Sequence, residues 1–201
     1  VFKPLRVAII STGAELCAPG DVVRSDQIFD ANRPMLQAVL WRWGMDVVDM
    51  GIVPDNVELV RQTLDKAAEL ADVILTSGGA SGGDEDHMSA VLSESGNMAL
   101  WRIAVKPGRP LALGVWDGVP VFGLPGNPVA AFVCTLIFAR PALLRLSGAG
   151  FLAPLALILP AAFAKTKKGG RREYLRARLR DGAVEVFGSE GSGRVSGLSW
   201  A

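Results

Sequence analysis

VILTSGGASGGDEDH, residues 73–87, is the stretch on which the reading of the fold turns. Its first four residues form a short, largely apolar run rich in β-branching, as a buried strand requires. Two glycine pairs follow, and then three consecutive acids, Asp84, Glu85 and Asp86. Glycine at a strand end lets a backbone come close to another group, often a phosphate, whereas carboxylates repel phosphate. The loop contains no Gly-Lys-Ser/Thr and no Gly-x-Gly-x-x-Gly, so it is neither a P-loop nor a dinucleotide fingerprint. In one reading it is only a loop of turn residues. In the other, the backbone N–H groups of Gly78, Gly79 and Gly83 line a phosphate while a carboxylate holds a divalent cation. Mg²⁺ is typically held by one or two carboxylates plus substrate phosphates, which would let both residue types share one loop.

Working outward, RVAIIS at 6–11 reads as another buried strand, and 46–53 as a third. Residues 32–43 place Met35, Leu36, Val39 and Leu40 on one helical face. A second helix starts near Val57, with Asp55 and Glu58 spaced as a capping box. A short helix is expected over 88–95, strands over 99–105, 111–116 and 119–124, and a turn at Asp117-Gly118. Asn127 as cap and Pro128 as first helical residue then open a helix that reaches about Leu146. Strands alternating with helices predict an α/β fold, a mostly parallel sheet with helices on both faces. Ligands bind such sheets beyond the carboxyl ends of the strands, where the glycine-acid loop lies.

The pattern changes after Gly148. Leu175, Ala177 and Leu179 alternate with arginines, Asp181-Gly182 supplies a turn, and AVEVF follows. Residues 149–201 show no helical period and are expected to form a small all-β, barrel-like module behind an α/β domain over 1–148.

Half of the 201 residues are apolar, enough for a sizeable core, and the net charge of +1 gives no global attraction for nucleic acid or an anionic membrane. Two distant cysteines imply no disulfide framework and fit a reducing cytoplasm. A single histidine excludes a histidine-built zinc site. The apolar runs at 129–139 and 151–164 are interrupted or short for a membrane span.

Other polar clusters allow two readings each. Lys106-Pro107-Gly108-Arg109-Pro110 sets two cations close together in a turn stiffened by two prolines, either an anion clamp or a solvated loop. The stretch STGAEL at 11–16 offers hydroxyls and one acid but by itself reads more readily as a helix cap, and LPGNP at 124–128 is sufficiently explained as a rigid turn. His87 suits a loop or capping position. The basic run Lys165, Lys167, Lys168, Arg171 and Arg172 has no interleaved aromatic residue and reads as a solvated face rather than a nucleic-acid contact.

Five stretches in order, STGAEL, IFDANR at 28–33, SGGASGGDED at 77–86, VKPGRP at 105–110 and GLPGNP at 123–128, resemble the molybdopterin molybdenumtransferase family, which includes the C-terminal portion of gephyrin. The resemblance implies a molybdopterin-binding α/β domain with a small β-barrel behind it. It implies a reaction in which adenylylated molybdopterin receives molybdate, AMP leaves, and molybdenum cofactor results. By motif, Glu15, Asp55 and Asp86 match catalytic acids, with Asp86 as the Mg²⁺ ligand. Lys106 and Arg109 match the molybdate-side cations. Ser77, Gly78, Gly79, Ser81 and Gly83 match the pterin-phosphate loop, with Thr12, Pro125, Asn127 and Pro128 as further substrate contacts. Asp84 and Glu85 fall on variable positions.

Family members carry a long N-terminal part and work as homodimers whose cleft borrows residues from the partner. This chain begins with Val and ends soon after the hairpin, so it is expected to be a fragment with a truncated β module, inactive alone. Two alternatives stand beside this reading. A molybdopterin adenylyltransferase shares the α/β fold, but its loop would read Thr-Gly-Gly-Thr-Gly with a later Pro-Glu-Ala, and it lacks a β tail. A gephyrin-like, non-catalytic scaffold would need a peptide groove that no motif indicates.

Asp86 gives the sharpest test of the loop. Unit charges about 4 Å apart repel by about 4 kcal/mol at an effective dielectric of 20, so an unneutralised acidic cluster would expel a phosphoanhydride. Asp86→Asn should fold normally and keep pterin, yet lose most turnover in a full-length protein, while Asp84→Asn should lose much less. Near-normal turnover with unchanged Mg²⁺ dependence would make Asp86 a helix cap, a role Asn fills about as well.

Overall fold

Val7, Ala8, Ile9 and Ile10 are all fully buried, which requires a strand covered on both faces. They belong to β1 (Arg6–Thr12) in the computed structural model, which describes residues 3–78, 87–94, 98–153, 155–166 and 169–201. The chain continues through β2 (Leu16–Cys17), β3 (Ile28–Phe29), α1 (Asn32–Arg42), β4 (Asp46–Val53), α2 (Val57–Leu70), β5 (Val73–Ser77) and α3 (His87–Glu94). Next come β6 (Met98–Arg102), β7 (Val105–Lys106), β8 (Pro110–Trp116) and β9 (Val119–Leu124). α4 (Pro128–Cys134), a π-helical turn (Thr135–Ala139) and α5 (Arg140–Leu146) follow without a break. β10 (Arg172–Glu173), β11 (Ala177–Arg180), β12 (Ala183–Val186) and α6 (Ser196–Trp200) make up the tail.

Six strands form the main sheet in the order β4-β1-β5-β9-β8-β6. β4, β1, β5 and β9 are parallel; β8 runs antiparallel to β9, and β6 antiparallel to β8. Pleating sorts the buried residues between two layers. Val7, Ile9, Val73 and Leu75 pack with Leu36 and Leu40 of α1 and with Ala131, Cys134 and Leu143 of the α4–α5 run. Ala8, Ile10 and Ile74 pack with Val60 and Leu64 of α2 and with Met88, Val91 and Leu92 of α3. The sheet is therefore mostly parallel with helices on both faces. Both Asp-Gly turns carry two positive φ angles, 45° and 78° at Asp117-Gly118 and 49° and 78° at Asp181-Gly182, as a two-residue hairpin turn requires.

Four local expectations are corrected. The capping box is absent: Asn56 caps α2, its side chain accepting from Leu59 N at 3.0 Å, because Asp55 is turned toward the loop after β1. Asn127 holds the cap position of α4, with Pro128 behind it, but its side chain makes no capping bond. The strand expected over 99–105 ends at Arg102, and Val105-Lys106 pairs instead with β10 of the tail. The tail carries its small β sheets and also a five-residue helix, α6, which the sequence pattern did not indicate. The 19-residue helical run Pro128–Leu146, of mean hydropathy 1.8, is long and apolar enough to cross a membrane by length and composition. Its inner face belongs to the core layer just described.

Two glycines in the sheet test different constraints. Gly51 lies in a bulge of β4, where the register against β1 shifts, and has φ 80° with open space around it. Gly78, at φ 90°, ends β5 so close to β1 that an added Cβ would stand 2.4 Å from the Thr12 carbonyl oxygen. Gly51→Ala should cost about 1 kcal/mol, from conformational strain alone. Gly78→Ala adds a backbone collision and should cost about 3 kcal/mol or more in chemical denaturation. Equal losses at the two positions would contradict this account of the β1–β5 approach.

Candidate ligand-binding cleft

The parallel strands release the chain at one edge of the sheet. A cleft of about 1260 Å³ opens across the loops there and is bounded on its far side by residues of the tail. Thr12, Gly13 and Glu15 reach it from the end of β1, Asp55 from the end of β4, and Ser77 and Gly78 from the end of β5. Lys106, Arg109, Pro125, Asn127 and Pro128 also line it. Gly79, Ser81, Gly83 and Asp86, named with these from the sequence, lie outside the described residues.

Asn32 ties the loops together. Its Nδ2 donates to Ser77 Oγ and to the Gly126 carbonyl, both at 2.6 Å, from a position only 6% exposed. Asp30 sets Asn32 in place by accepting from the backbone N–H groups of Asn32 and Arg33, each at 3.1 Å. Asn32 was not among the residues expected at the site; its signal in IFDANR is an Asp two residues before an Asn at a helix start. Asp55 Oδ2 accepts from Ala14 N at 2.9 Å, which fixes the loop that carries Glu15. A carboxylate that accepts a backbone N–H is a positioning device as well as a charge.

The cations differ. Arg109 is exposed and its guanidinium has no ion-pair partner among the described residues. Lys106 Nζ is 2.8 Å from Glu190 Oε2 and 3.6 Å from Glu173 Oε1. Lys165 completes the square, 3.2 Å from Glu173 Oε2 and also paired with Glu190 Oε1. Lys165 is therefore not part of a freely solvated basic face, while Lys167 and Lys168 lie outside the described residues. The hydrogen bond from Lys106, then that from Lys165, holds the Glu190 carboxyl down at about 2. Any stability this clasp adds is complete above the ordinary value of 4.5 and is lost as pH falls through about 2. Glu173 and Glu190 were missed because each is an isolated acid within a basic or glycine-rich stretch, far in sequence from Lys106.

Backbone contacts join the tail to the α/β unit: Arg172 N to Ala104 O and Tyr174 N to Lys106 O, each at 2.8 Å, and Val129 N to Ser192 O at 2.9 Å. These bonds consume donors at the cleft. Gly78 N donates to Leu124 O at 3.3 Å, so its N–H does not serve a phosphate as the sequence reading expected. Gly78 is needed for close approach to β1. Thr12 Oγ1 and Asn32 Oδ1 are buried without a hydrogen-bond partner among the described residues, the condition of groups that await a ligand or water. Cys134 lies beneath the Lys106–Arg109 turn, its Sγ 3.5 Å from the Gly108 carbonyl, and burial pushes its thiol up to about 12, so it is no nucleophile at neutral pH. Among the described residues no three His, Cys, Asp or Glu side chains are grouped to hold a metal ion.

Comparison with known proteins agrees with the layout. Residues 8–145 match the family model described as probable molybdopterin binding domain, and residues 159–201 match the MoeA C-terminal region (domain IV). The molybdopterin molybdenumtransferase of Haemophilus influenzae is 38% identical over 147 residues, 73% of this chain and 36% of that protein. The molybdopterin molybdenumtransferase of a Nostoc species is 32% identical over 99% of this chain and 48% of its own length. The crystal structure of the molybdopterin biosynthesis MoeA protein from Pyrococcus horikoshii superposes with a TM-score of 0.78 at 29% identity, covering 99% of this chain and 49% of that one. The chain thus spans about a third to half the length of these relatives. Because the first family model takes in more than half of its residues, the chain belongs to the family of probable molybdopterin binding domains, followed here by a MoeA-type C-terminal region.

Proposed function

We propose that this chain carries the substrate cleft of a molybdopterin molybdenumtransferase, in which adenylylated molybdopterin receives molybdate and AMP is released. The observation that carries the proposal is convergence. Residues of five stretches spread from 11 to 128 reach one cleft, where cations and carboxylates stand together. That combination suits a substrate with a phosphoanhydride and an incoming oxyanion. The adenylyltransferase alternative gains nothing from a tail that contributes Glu173 and Glu190 to the same cleft.

Each side chain has a part in this reading. Arg109, without an ion-pair partner among the described residues, offers a planar fork to an oxyanion, and Lys106 adds a compact charge on the same turn. Ser77 accepts from Asn32, which leaves its own hydroxyl proton for a substrate oxygen. Thr12 Oγ1 and Asn32 Oδ1, buried and without a partner among the described residues, are groups that a polar pterin would satisfy. Gly79, Ser81 and Gly83 belong with the pterin-phosphate loop, and Pro125, Asn127 and Pro128 with the substrate wall.

Mg²⁺ fits the donor set. Glu15 and Asp55 are two carboxylates on one cleft, and this ion commonly takes one or two carboxylates together with substrate oxygens and water. With Asp86 they would hold the ion, which would offset phosphate charge there. Without it, Glu15 and Asp55 repel the substrate. The proposal also includes cytoplasmic function of an α/β domain over 1–148 and a β domain over 149–201, inside a longer, homodimeric protein whose remaining parts complete the cleft.

Lys106→Ala, measured in the longest natural form of the protein with adenylylated molybdopterin, molybdate and Mg²⁺, should raise the molybdate concentration needed for AMP release about tenfold. A lost charge-assisted contact is worth about 1.5–3 kcal/mol. The melting temperature should move by less than about 3 °C, because Lys106 is a partly exposed pair. A large fall in melting temperature with unaltered molybdate dependence would instead make Lys106 a structural clasp.

A further inference from the structure

Lys106 contributes an ammonium to the cleft, yet a carboxylate from the tail already sits on it, 2.8 Å away. The two acids that face this cation are held differently. Glu173 lies in β10, fixed by pairing with β7, and is only 14% exposed. Glu190 is 51% exposed and stands outside any strand or helix. The backbone beside Glu190 is anchored, because the Arg176 guanidinium donates to the carbonyls of Ser189 and Arg194. A side-chain rotation can therefore withdraw the carboxylate while the loop stays in place. Its two oxygens are divided between two cations, Oε2 on Lys106 and Oε1 on Lys165. Leaving Lys106 does not leave Glu190 unpaired, since Lys165 keeps it.

We propose that Glu190 is an internal anion that holds the Lys106 seat until a doubly charged oxyanion displaces it onto Lys165. This deepens the reading of Lys106 as an oxyanion contact and rests on it. Coulomb attraction scales with charge. A dianion such as molybdate or hydrogen phosphate outbids one carboxylate, whereas chloride or acetate gains no more than the carboxylate already has. Glu190 thereby makes the seat selective for dianions and closes it when none is present. The neighbouring Arg109 has no such placeholder among the described residues and remains available to make the first contact.

The test is calorimetric titration of the longest natural form of the protein with molybdate, and separately with phosphate, in the presence and absence of excess chloride. Glu190→Gln keeps shape and removes the charge. It should tighten molybdate binding about fivefold, the scale of one exposed ion pair, and should make that binding newly sensitive to chloride. Glu185→Gln, which removes a carboxylate paired with Arg178 away from the cleft, should change neither. Lys106→Ala should weaken binding in both backgrounds and abolish the gain from Glu190→Gln. A gain of affinity separates this role from a structural one, because a broken clasp would only weaken the site. If Glu190→Gln leaves affinity unchanged or lowers it while Lys106→Ala abolishes binding, the placeholder role is wrong and the oxyanion reading of Lys106 stands. If Lys106→Ala changes nothing, or if neither the unaltered protein nor Glu190→Gln binds either anion, both fall.

Discussion

A parallel strand must be left at its carboxyl end and re-entered from its amino end, and most of what this protein does follows from that constraint. β1, β4, β5 and β9 are parallel neighbours, so the loops that follow them share one edge of the sheet. Residues far apart in sequence, Glu15, Asp55, Ser77 and Asn127, become neighbours there without any long-range instruction beyond strand order. The two-sided core fixes the order. β1 has no solvent face, because Val7 and Ile9 commit to one helical layer and Ala8 and Ile10 to the other. A slip of one residue would exchange those layers.

The edge is then tightened by a few polar contacts. Asn32 bridges the loops after β5 and β9, and Asp55 bridges those after β4 and β1. Each bond is modest alone, about 1 kcal/mol net. Together they hold the cleft wall before any ligand arrives, which reduces the ordering cost of binding. The tail closes the far side by pairing its backbone with Val105-Lys106 and by placing two carboxylates on two lysines.

Much of the fold could be read from local pattern. Short β-branched runs marked β1, β5 and β9, helical spacing marked α1 and α2, and Asp-Gly marked both tight turns. The sequence failed where two local explanations competed. Asp55 satisfied the spacing of a helix cap, but Asn56, one residue later, took the role and released Asp55 to the cleft. Gly78 suited a phosphate cradle, but its N–H is used by Leu124 and its missing Cβ makes room for Thr12. The Lys106–Glu190 contact spans 84 residues. No spacing rule reaches that far, so the tail's share in the cleft emerged only from the fold.

The central claim is that one edge of the sheet is a binding cleft for an oxyanion and a phosphate-bearing ligand. Backbone amide shifts of the isotopically labelled chain, recorded by NMR during titration with molybdate and then with AMP in the presence of Mg²⁺, test it most directly. The account predicts that the largest changes fall on Gly13, Glu15, Gly78, Arg109 and Asn127, all on the cleft. Changes centred instead on Gly44, Asp72 and Gly118, at the amino ends of β4, β5 and β9, would contradict it.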